Sequence, residues 1–232
     1  MYKTLAEYYD LLVGDEEATL LWVDFVKRHA IGSSILELAC GSGAITAKLN
    51  DRGYSIMASD ISDQMINIAK AKFPNINFFV MDMLDITVKD KVDIVCCFCD
   101  SVNYLSDINE VETLIKQVSN ILNEKGRFLF DIHSIDRIAE FKEPFIEEGY
   151  LGDTPYQWSI VGEENKLYHH FVFWQQDNIV EEYHTQTIFD LTEVLKLLHK
   201  YNFTTDVYTD FDYHGVKDGE RYCIVAKKGE IR

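Results

Sequence analysis

The sequence has no apolar run that approaches about 18 residues, the shortest stretch that is typical of a membrane-spanning helix. Its first residues, MYKTLAEYYDLLVGDEE, have tyrosines and acids where a secretory signal has a basic start and a continuous apolar stretch. We therefore expect a cytoplasmic protein without a membrane segment. The length of 232 residues and the 47% hydrophobic content predict one large α/β domain, with room for a small appendage.

Basic residues are scarce. The chain has 22 Lys and Arg against 39 Asp and Glu, which gives a formal net charge of −17. Nucleic-acid binding depends on Lys and Arg contacts with phosphates, so this balance argues against a broad phosphate-binding surface. A local basic patch stays open, and the excess of acid is in itself typical of a solubility feature.

Cysteines are few and odd in number, which argues against a disulfide framework in a chain without an export signal. Three of the five lie in the segment CCFCD, at Cys96, Cys97 and Cys99. The first two are adjacent and no second pair of cysteines matches them, so the spacing gives little support for zinc. We interpret them as small apolar side chains of a buried strand and predict no metal.

The first half of the chain alternates apolar strands with amphipathic helices. Helices are predicted from Gly43 to about Asn50, in SDQMINIAKAKF with Ser62 as N-cap, and in DINEVETLIKQVSNIL. Strands are predicted in SILELAC, YSIMASD, INFFVMDM, VDIVCCFC and GRFLFDIH. Continuous apolar strands separated by helices indicate a parallel sheet that is covered on both faces and binds ligands at the carboxyl ends of its strands.

The pattern changes between about Pro144 and Phe189, where polar and apolar residues alternate as in an antiparallel sheet. The segments GEEN and QDN are the predicted turns. A helix, DLTEVLKLLHKYNF, and two strands, TTDVYTDFDY and RYCIVAKK, then complete the chain. We expect residues 1–140 and 190–232 to form the α/β domain and residues 141–189 to form a small antiparallel β insert.

A glycine-rich turn follows the first strand in the segment SSILELACGSGAITAKL. Gly41 and Gly43 match the first two glycines of the dinucleotide pattern G-x-G-x-x-G, but the third position is Thr46. The phosphate-loop pattern is absent too, because no G-K-[ST] follows. A nucleotide-dependent oxidoreductase is therefore a disfavoured alternative.

Four successive predicted strands end in or near an acid: Glu37, Asp60, Asp82 and Asp100. Any one of them could cap a loop. Asp60 lies 60 − 41 = 19 residues after Gly41, where an acid can accept hydrogen bonds from ribose hydroxyls. Acids in series would repel a pyrophosphate and suit a cationic ligand, so a nucleoside carrying a sulfonium and an amino acid fits better than NAD.

The motif LELACGSG, with Asp60 and the segment MDM at strand ends, resembles the class I S-adenosylmethionine-dependent methyltransferases over about residues 35–133. Ala39 stands where that family usually has glycine. The resemblance implies a Rossmann-like, doubly wound, mostly parallel seven-stranded sheet with S-adenosylmethionine as cofactor. The cofactor-binding residues that it implies are Tyr9, Glu37, Ala39, Gly41, Gly43, Asp60, Ile61, Asp82, Met83 and Cys99.

The resemblance also implies individual roles. Gly41 and Gly43 line the methionine portion, and Glu37 supports their loop. Asp60 binds the ribose hydroxyls. Asp82 accepts a hydrogen bond from the adenine amino group, next to the backbone of Met83. Ile61 packs on the adenine. Cys99 and Asp100 border the cofactor and face the acceptor.

The N-terminal segment EYYDLLVGD resembles a subgroup of small bacterial methyltransferases in which the first helix covers the cofactor. Tyr9 would then lie near the sulfonium, a cation–π contact that stabilises by about 0.5–2 kcal/mol. Simple helix packing of Tyr8 and Tyr9 stays an alternative. The subgroup has a β insert that forms part of the acceptor-site roof. Its aromatic residues could contact a substrate, although we favour a core role for most of Tyr156, Trp158, Tyr168, Phe171, Phe173 and Trp174.

A base is needed only if the methyl acceptor carries a proton. His133 is the first candidate, Asp100 the second, and the adjacent His169 and His170 a distant third. The segment CDSVNY replaces the [ND]-P-P-[YF] signature of amino-base methyltransferases. We therefore expect a methyltransferase that acts on an oxygen or nitrogen of a small molecule. The alternatives are an RNA or protein methyltransferase and a non-catalytic cofactor-binding module, and the oligomeric state stays open.

Overall fold

The computed structural model describes residues 4–176 and 178–229. Within these ranges the α-helices are α1 Thr4–Leu12, α2 Glu16–His29, α3 Ala44–Asp51, α4 Asp63–Lys72, α5 Ile108–Ile121, α6 Asp136–Glu140 and α7 Leu191–Lys200. The strands are β1 Ser34–Leu38, β2 Ser55–Asp60, β3 Asn77–Val80, β4 Val92–Cys97, β5 Leu122–His133, β6 Phe145–Leu151, β7 Thr154–Glu163, β8 Lys166–Gln175, β9 Asn178–Thr187, β10 Phe203–Thr209, β11 Tyr213–His214 and β12 Arg221–Lys228. A short 3₁₀ helix spans Ser101–Tyr104.

The larger sheet has the strand order β11-β10-β12-β5-β4-β1-β2-β3. Strands β1 to β5 pair in parallel, whereas β12 pairs antiparallel with β5 and β10 pairs antiparallel with β12. The strand order reverses between β1 and β4, so the carboxyl ends of these neighbouring strands flank the crevice where open α/β sheets bind ligands. The predicted doubly wound α/β fold is confirmed.

The sheet has an eighth strand in the described residues, one more than the sequence indicated. The segment TTDVYTDFDY was expected to be a single strand, but β10 ends at Thr209. Asp210 and Phe211 have φ angles of 48° and 73°, in the left-handed region, which ends the extended conformation. The chain then reverses, and Tyr213 pairs with Thr209 to form the two-residue strand β11.

Both faces of the central strands are buried, as their continuous apolar sequences predict. Successive residues of a strand point to opposite faces, so Ile35 and Leu36 of β1 enter different cores. Ile35 packs in a cluster with Trp22 and Phe25 of α2. Leu36 packs in the other cluster, on the α5 side of the sheet, with partners that include Val95, Val111, Leu114, Val118 and Phe128.

Two strands are shorter than predicted, and this places acids in loops. β3 ends at Val80, and Asp82 lies in the following loop, where its Oδ1 accepts the backbone N–H of Leu84 at 2.8 Å. β4 ends at Cys97, so Cys99 and Asp100 belong to a turn. Ser62 caps α4 as predicted, since its hydroxyl accepts the backbone N–H of Met65.

The smaller sheet has the order β6-β7-β8-β9 and is antiparallel, as the alternation predicted. α6 precedes it and was not predicted. Glu164, in the predicted GEEN turn, has a φ of 54°; Asp177 of the predicted QDN turn lies outside the described residues. One face of the sheet packs on α1 through a cluster of Leu5, Leu151, Tyr156, Phe171 and Phe173, and Tyr168 and Trp174 are exposed.

No helix within the described ranges is both long enough and apolar enough to cross a bilayer.

Candidate functional site

A cavity of about 340 Å³ opens at the carboxyl edge of β1, β2 and β4. Its wall also includes α1 and α2, which cover the glycine-rich turn. Its volume lies in the range of pockets that hold small ligands. The predicted cofactor-binding residues in this wall are Tyr9, Glu37, Ala39, Gly41, Asp60, Ile61, Asp82, Met83 and Cys99.

Gly43 is the one predicted cofactor-binding residue that is not in this wall. Gly41 has a φ of 54°, and a Cβ built there meets only the Tyr9 ring, at 3.9 Å. Gly43 has a φ of 84°, but a Cβ built there would lie 2.7 Å from Cζ of Phe78. Gly41 therefore leaves room in the cavity, whereas Gly43 is outside its wall and allows α3 to begin against Phe78 and Ala69.

Glu37 lies buried beneath the glycine loop and holds it to α3. The hydroxyl of Thr46 donates a hydrogen bond to Glu37 Oε2 at 2.6 Å. Burial raises the pKa of Glu37 to about 7, although the Thr46 hydrogen bond acts in the opposite direction. Thr46 occupies the position of the third glycine of a dinucleotide motif, and the structure gives it this different task.

Asp60, the last residue of β2, accepts hydrogen bonds from the glycine-rich turn after β1 and from the residue that caps α4. Its Oδ2 accepts the backbone N–H of Gly41 at 2.9 Å, and its Oδ1 accepts that of Ser62 at 2.8 Å. Burial raises the pKa of Asp60, and these backbone hydrogen bonds partly oppose the rise. Exposed Ile61 follows it in the cavity wall, so a carboxylate and an apolar side chain lie side by side.

The cavity wall is acidic. It contains no Lys, Arg or His among the described residues that line it. Its carboxylates are those of Asp10, Asp15, Glu37, Asp60, Asp82 and Glu110. Fixed negative charge around a low-dielectric cleft attracts cations and repels phosphates. A sulfonium is suited to this field.

α1 is tied to the glycine loop by Asp10. Asp10 Oδ1 accepts a hydrogen bond from the Ser42 hydroxyl at 2.5 Å, and the other carboxylate oxygen forms an ion pair with Lys72. These contacts hold Tyr9 over Gly41. Burial, and to a smaller extent the nearby Cys99, raise the pKa of Tyr9 well above its ordinary value. The Tyr9 hydroxyl therefore keeps its proton.

The turn after β4 has two consecutive left-handed residues, Cys99 with φ 57° and Asp100 with φ 53°. Cys99 lines the cavity, whereas Asp100 does not. The backbone N–H of Asp100 donates to Oδ2 of the buried Asp131 at 3.0 Å, and Arg221 approaches the same oxygen at 3.3 Å. Burial raises the pKa of Asp131 to about 7 despite Arg221, so the turn is held by a pair that sequence reasoning missed.

The two predicted catalytic residues lie together behind Cys99. His133 Nε2 is 3.6 Å from Asp100 Oδ2, and both contact Gln186 of β9. Burial alone would raise the pKa of Asp100, but His133, Arg221 and the hydrogen bond from Gln186 together lower it. His133, like Asp100, is outside the cavity wall.

The histidine pair of β8 divides as strand alternation predicts. His169 points inward and its Nε2 is 3.0 Å from Gln186 Oε1, whereas His170 points outward and pairs with Glu181 at 2.8 Å. Gln186 was missed. The only sequence signal for it was the presence of two polar residues, His184 and Gln186, at positions of β9 that face inward.

The described residues contain no group of three or more His, Cys, Asp or Glu that could hold a metal ion. The residues fit S-adenosylmethionine on their own chemistry. Gly41 leaves open space beside Tyr9, an acidic wall suits the cationic sulfur, and Ile61 and Met83 provide apolar surface beside the carboxylates of Asp60 and Asp82.

Comparison with known proteins supports this assignment. Residues 35–126 match a family model described as a methyltransferase domain. A Bacillus subtilis protein named "Putative methyltransferase YqeM" is 32% identical over 99% of this chain and 98% of its own length. Among solved structures, an S-adenosylmethionine-dependent methyltransferase from Clostridium acetobutylicum superposes with a TM-score of 0.82 at 24% identity, covering 97% of this chain and 98% of that one.

The sugar N-methyltransferase KedS8 from Streptoalloteichus has the same fold, with a TM-score of 0.78 at 20% identity over 99% of this chain and 96% of that one. The similarity to YqeM extends over almost the whole chain, so it includes the glycine loop, the acids at the strand ends and the residues of the cavity between them. The chain belongs to the class I S-adenosylmethionine-dependent methyltransferases, with S-adenosylmethionine as its cofactor.

Proposed function

We propose that this enzyme transfers a methyl group to an oxygen or nitrogen of a small-molecule acceptor. The observation that carries the proposal is the pair of His133 and Asp100, 3.6 Å apart directly behind Cys99 in the cavity wall. Acceptors that carry an O–H or N–H must lose a proton when they are methylated, and a carboxylate beside a histidine can take it.

The positions of these residues in the wall support the cofactor-binding roles that we propose for them. Asp60 is suited to accept from the ribose hydroxyls, and Asp82 and Met83 to hold the adenine edge. Gly41 leaves space for the methionine portion beneath Tyr9, whose ring can face the sulfonium. Bound S-adenosylmethionine supplies an electrophilic methyl carbon, and the chain's task is to align the acceptor with it and to exclude water.

The charge of the site favours a neutral or cationic acceptor. The described wall residues offer carboxylates and no basic side chain, so an acceptor anchored by phosphate would be repelled. This supports a small molecule over a nucleic acid. KedS8, which has the same fold, is a sugar N-methyltransferase, and an amine-bearing small molecule would suit the field of this cavity as well.

We propose that residues 141–189 form the roof of the acceptor site. Gln186 of this insert donates to Asp100 in the turn after β4 and also contacts His169 of the insert, so the insert contributes directly to the polar groups beside the cavity. Of its aromatic side chains, Tyr156, Phe171 and Phe173 are buried in its own core, and Trp158 lies at its margin.

The first experiment is calorimetric titration of ligand-freed protein with S-adenosylmethionine and, separately, with NADH. Saturable binding of S-adenosylmethionine alone is expected. Acceptor pools of amines, sugars, phenols, RNA and peptides are then tested for acceptor-dependent formation of S-adenosylhomocysteine. Turnover with a hydroxyl or amine compound supports the proposal. Turnover with RNA or peptide alone, or tight cofactor binding without any turnover, would favour the alternative functions.

A further inference from the structure

Gln186 connects the three polar groups that lie behind the cavity. Its Nε2 is 2.5 Å from Asp100 Oδ2. Its Oε1 is 3.0 Å from Nε2 of His133 and 3.0 Å from Nε2 of His169. Gln186 is buried and belongs to the insert, whereas Asp100 and His133 belong to the α/β domain. One amide therefore links the two sheets behind Cys99.

The chemistry of these groups fixes the direction of the hydrogen bonds. An ionised carboxylate only accepts, so the Gln186 NH₂ must face Asp100 and the amide oxygen must face the two rings. Each imidazole Nε2 must then carry a hydrogen. Trp158 Nε1–H donates to Nδ1 of His169 at 3.3 Å, which independently requires the same Nε2–H form of that ring.

Accessibility separates the two candidate bases. The side chain of Asp100 is 25% exposed and that of His133 only 6%. In addition, the ring nitrogen of His133 that faces Asp100 is Nε2, which already carries a hydrogen. The carboxylate is therefore the more accessible of the two groups, and the nitrogen of His133 that faces Asp100 cannot take a proton.

The surroundings keep Asp100 charged. The titratable groups that interact with it electrostatically include Cys99 of the same turn and Tyr9 on α1. The others are His133 and Asp131 on β5, Arg221 on β12 and His169 on β8. Burial lowers the pKa of His169 to about 4, so this ring stays neutral and contributes a dipole rather than a charge at neutral pH.

We propose that Gln186 is a positioning residue that holds Asp100 as the proton acceptor of the methyl-transfer reaction and holds His133 as a hydrogen-bond donor. The inference rests on the proposed function. As the new O–CH₃ or N–CH₃ bond forms, the C–S bond breaks and its electron pair stays on sulfur. The O–H or N–H proton of the acceptor passes to a carboxylate oxygen of Asp100, which becomes a neutral carboxylic acid.

The test uses Gln186→Leu, with Gln157→Leu as the matched control. Gln157 lies in the same sheet, and its amide donates to Glu148 away from the site. Carboxyl ¹³C NMR follows the titration of Asp100, assigned by its loss in Asp100→Asn. A hydrogen bond to a charged group favours the ionised form, so we expect Gln186→Leu to raise the Asp100 pKa by about one to two pH units. Gln157→Leu should leave it unchanged.

Gln186→Glu is the second variant, in case the leucine variant does not fold. It keeps the shape but replaces the donor with a carboxyl group, and the Asp100 pKa should rise at least as much. A purely structural Gln186 would lower the melting temperature without moving this titration. An unchanged Asp100 titration in the folded variants would overturn the proposal.

Turnover measurements provide a second test of the proposal. With an acceptor from the pools, Asp100→Asn should lower kcat by about 10²–10⁴-fold, whereas His133→Gln, which can still donate, should stay within about tenfold of the parent. The reverse order would also overturn the proposal. Calorimetry with S-adenosylmethionine runs alongside, because a wild-type protein that binds none would refute the proposed function while the Asp100 titration still decides the role of Gln186.

Discussion

The carboxylate of Asp60 accepts the backbone N–H of Gly41 at 2.9 Å across a sequence separation of 19 residues. The two residues that the sequence motif pairs are therefore in direct contact. The other oxygen of Asp60 accepts from Ser62, so the loop after β1 and the start of α4 are held by one side chain. Cofactor affinity and loop geometry should depend on it together.

Asp60→Ala should weaken S-adenosylmethionine binding by about 10–100-fold, which is the range expected for loss of hydrogen bonds to a charged group. Calorimetry measures the change in Kd. Asp63→Ala is the control, because Asp63 is an exposed acid three residues later at the start of α4. Equal effects of the two substitutions would show that general charge rather than this carboxylate determines affinity.

Gly43→Ala should destabilise the fold more than Gly53→Ala. Both glycines have strongly positive φ angles, 84° and 87°, so both variants pay a conformational cost of about 1 kcal/mol. Only at Gly43 would the new Cβ also meet the Phe78 ring, at 2.7 Å, while at Gly53 nothing lies within 4 Å. Overpacking of this kind adds about 1–3 kcal/mol, which urea unfolding can resolve. Indistinguishable unfolding free energies would contradict the packing role given to Gly43.

Glu37→Gln should remove part of the pH dependence of stability. The pKa of Glu37 is raised in the folded state from 4.5 to about 7, so the unfolded chain releases its proton first as pH rises. Wild-type stability therefore falls across that interval, by about 3 kcal/mol from this group, and is level above it. The glutamine variant should gain this amount relative to wild type between pH 4.5 and pH 8.

The control for this substitution is Glu163→Gln, at an exposed position at the end of β7. Its unfolding free energy should track that of wild type across the same pH range. Thermal or urea unfolding at half-unit pH steps provides the comparison. A constant difference between Glu37→Gln and wild type would mean that the pKa of Glu37 is not raised in the folded state.

Ser42→Ala should loosen α1 from the glycine loop. Ser42 donates the hydrogen bond that holds Asp10, and its loss costs about 1 kcal/mol, so amide hydrogen exchange in α1 should become about fivefold faster. Thr113→Ala removes a comparable hydroxyl from the exposed face of α5 and should leave α1 exchange unaltered. Unchanged exchange in Ser42→Ala would show that this hydrogen bond does not hold α1 on the glycine loop.

The fold was accessible from the sequence because its signals are local. Apolar runs such as SILEL and the acids that follow them predict parallel strands and a ligand edge, and the alternation after Pro144 predicts the antiparallel insert. The eighth strand was not accessible. It depends on the left-handed conformations of Asp210 and Phe211. Non-glycine residues rarely adopt such conformations, so the sequence did not predict them here.

The cavity wall was predicted better than the polar groups behind it. Gly41 and Asp60 belong to a short motif, so spacing identifies them. Gln186 and Arg221 lie 86 and 121 residues from Asp100 in the chain, by 186 − 100 and 221 − 100, and meet it only through tertiary packing. Spacing also could not separate Gly41 from Gly43, because the difference lies in where each absent Cβ would point.

α1 contacts two structures at once. Leu5 and Tyr8 pack with the aromatic cluster of the insert, and the Tyr8 hydroxyl is 3.0 Å from Oγ1 of Thr154; Tyr9 and Asp10 face the cavity. A helix of nine residues is too short to be stable alone, so its order depends on both partners. Filling the cavity should therefore also steady the insert that packs on α1. We expect an ordered kinetic sequence in which S-adenosylmethionine binds before the acceptor and S-adenosylhomocysteine leaves last.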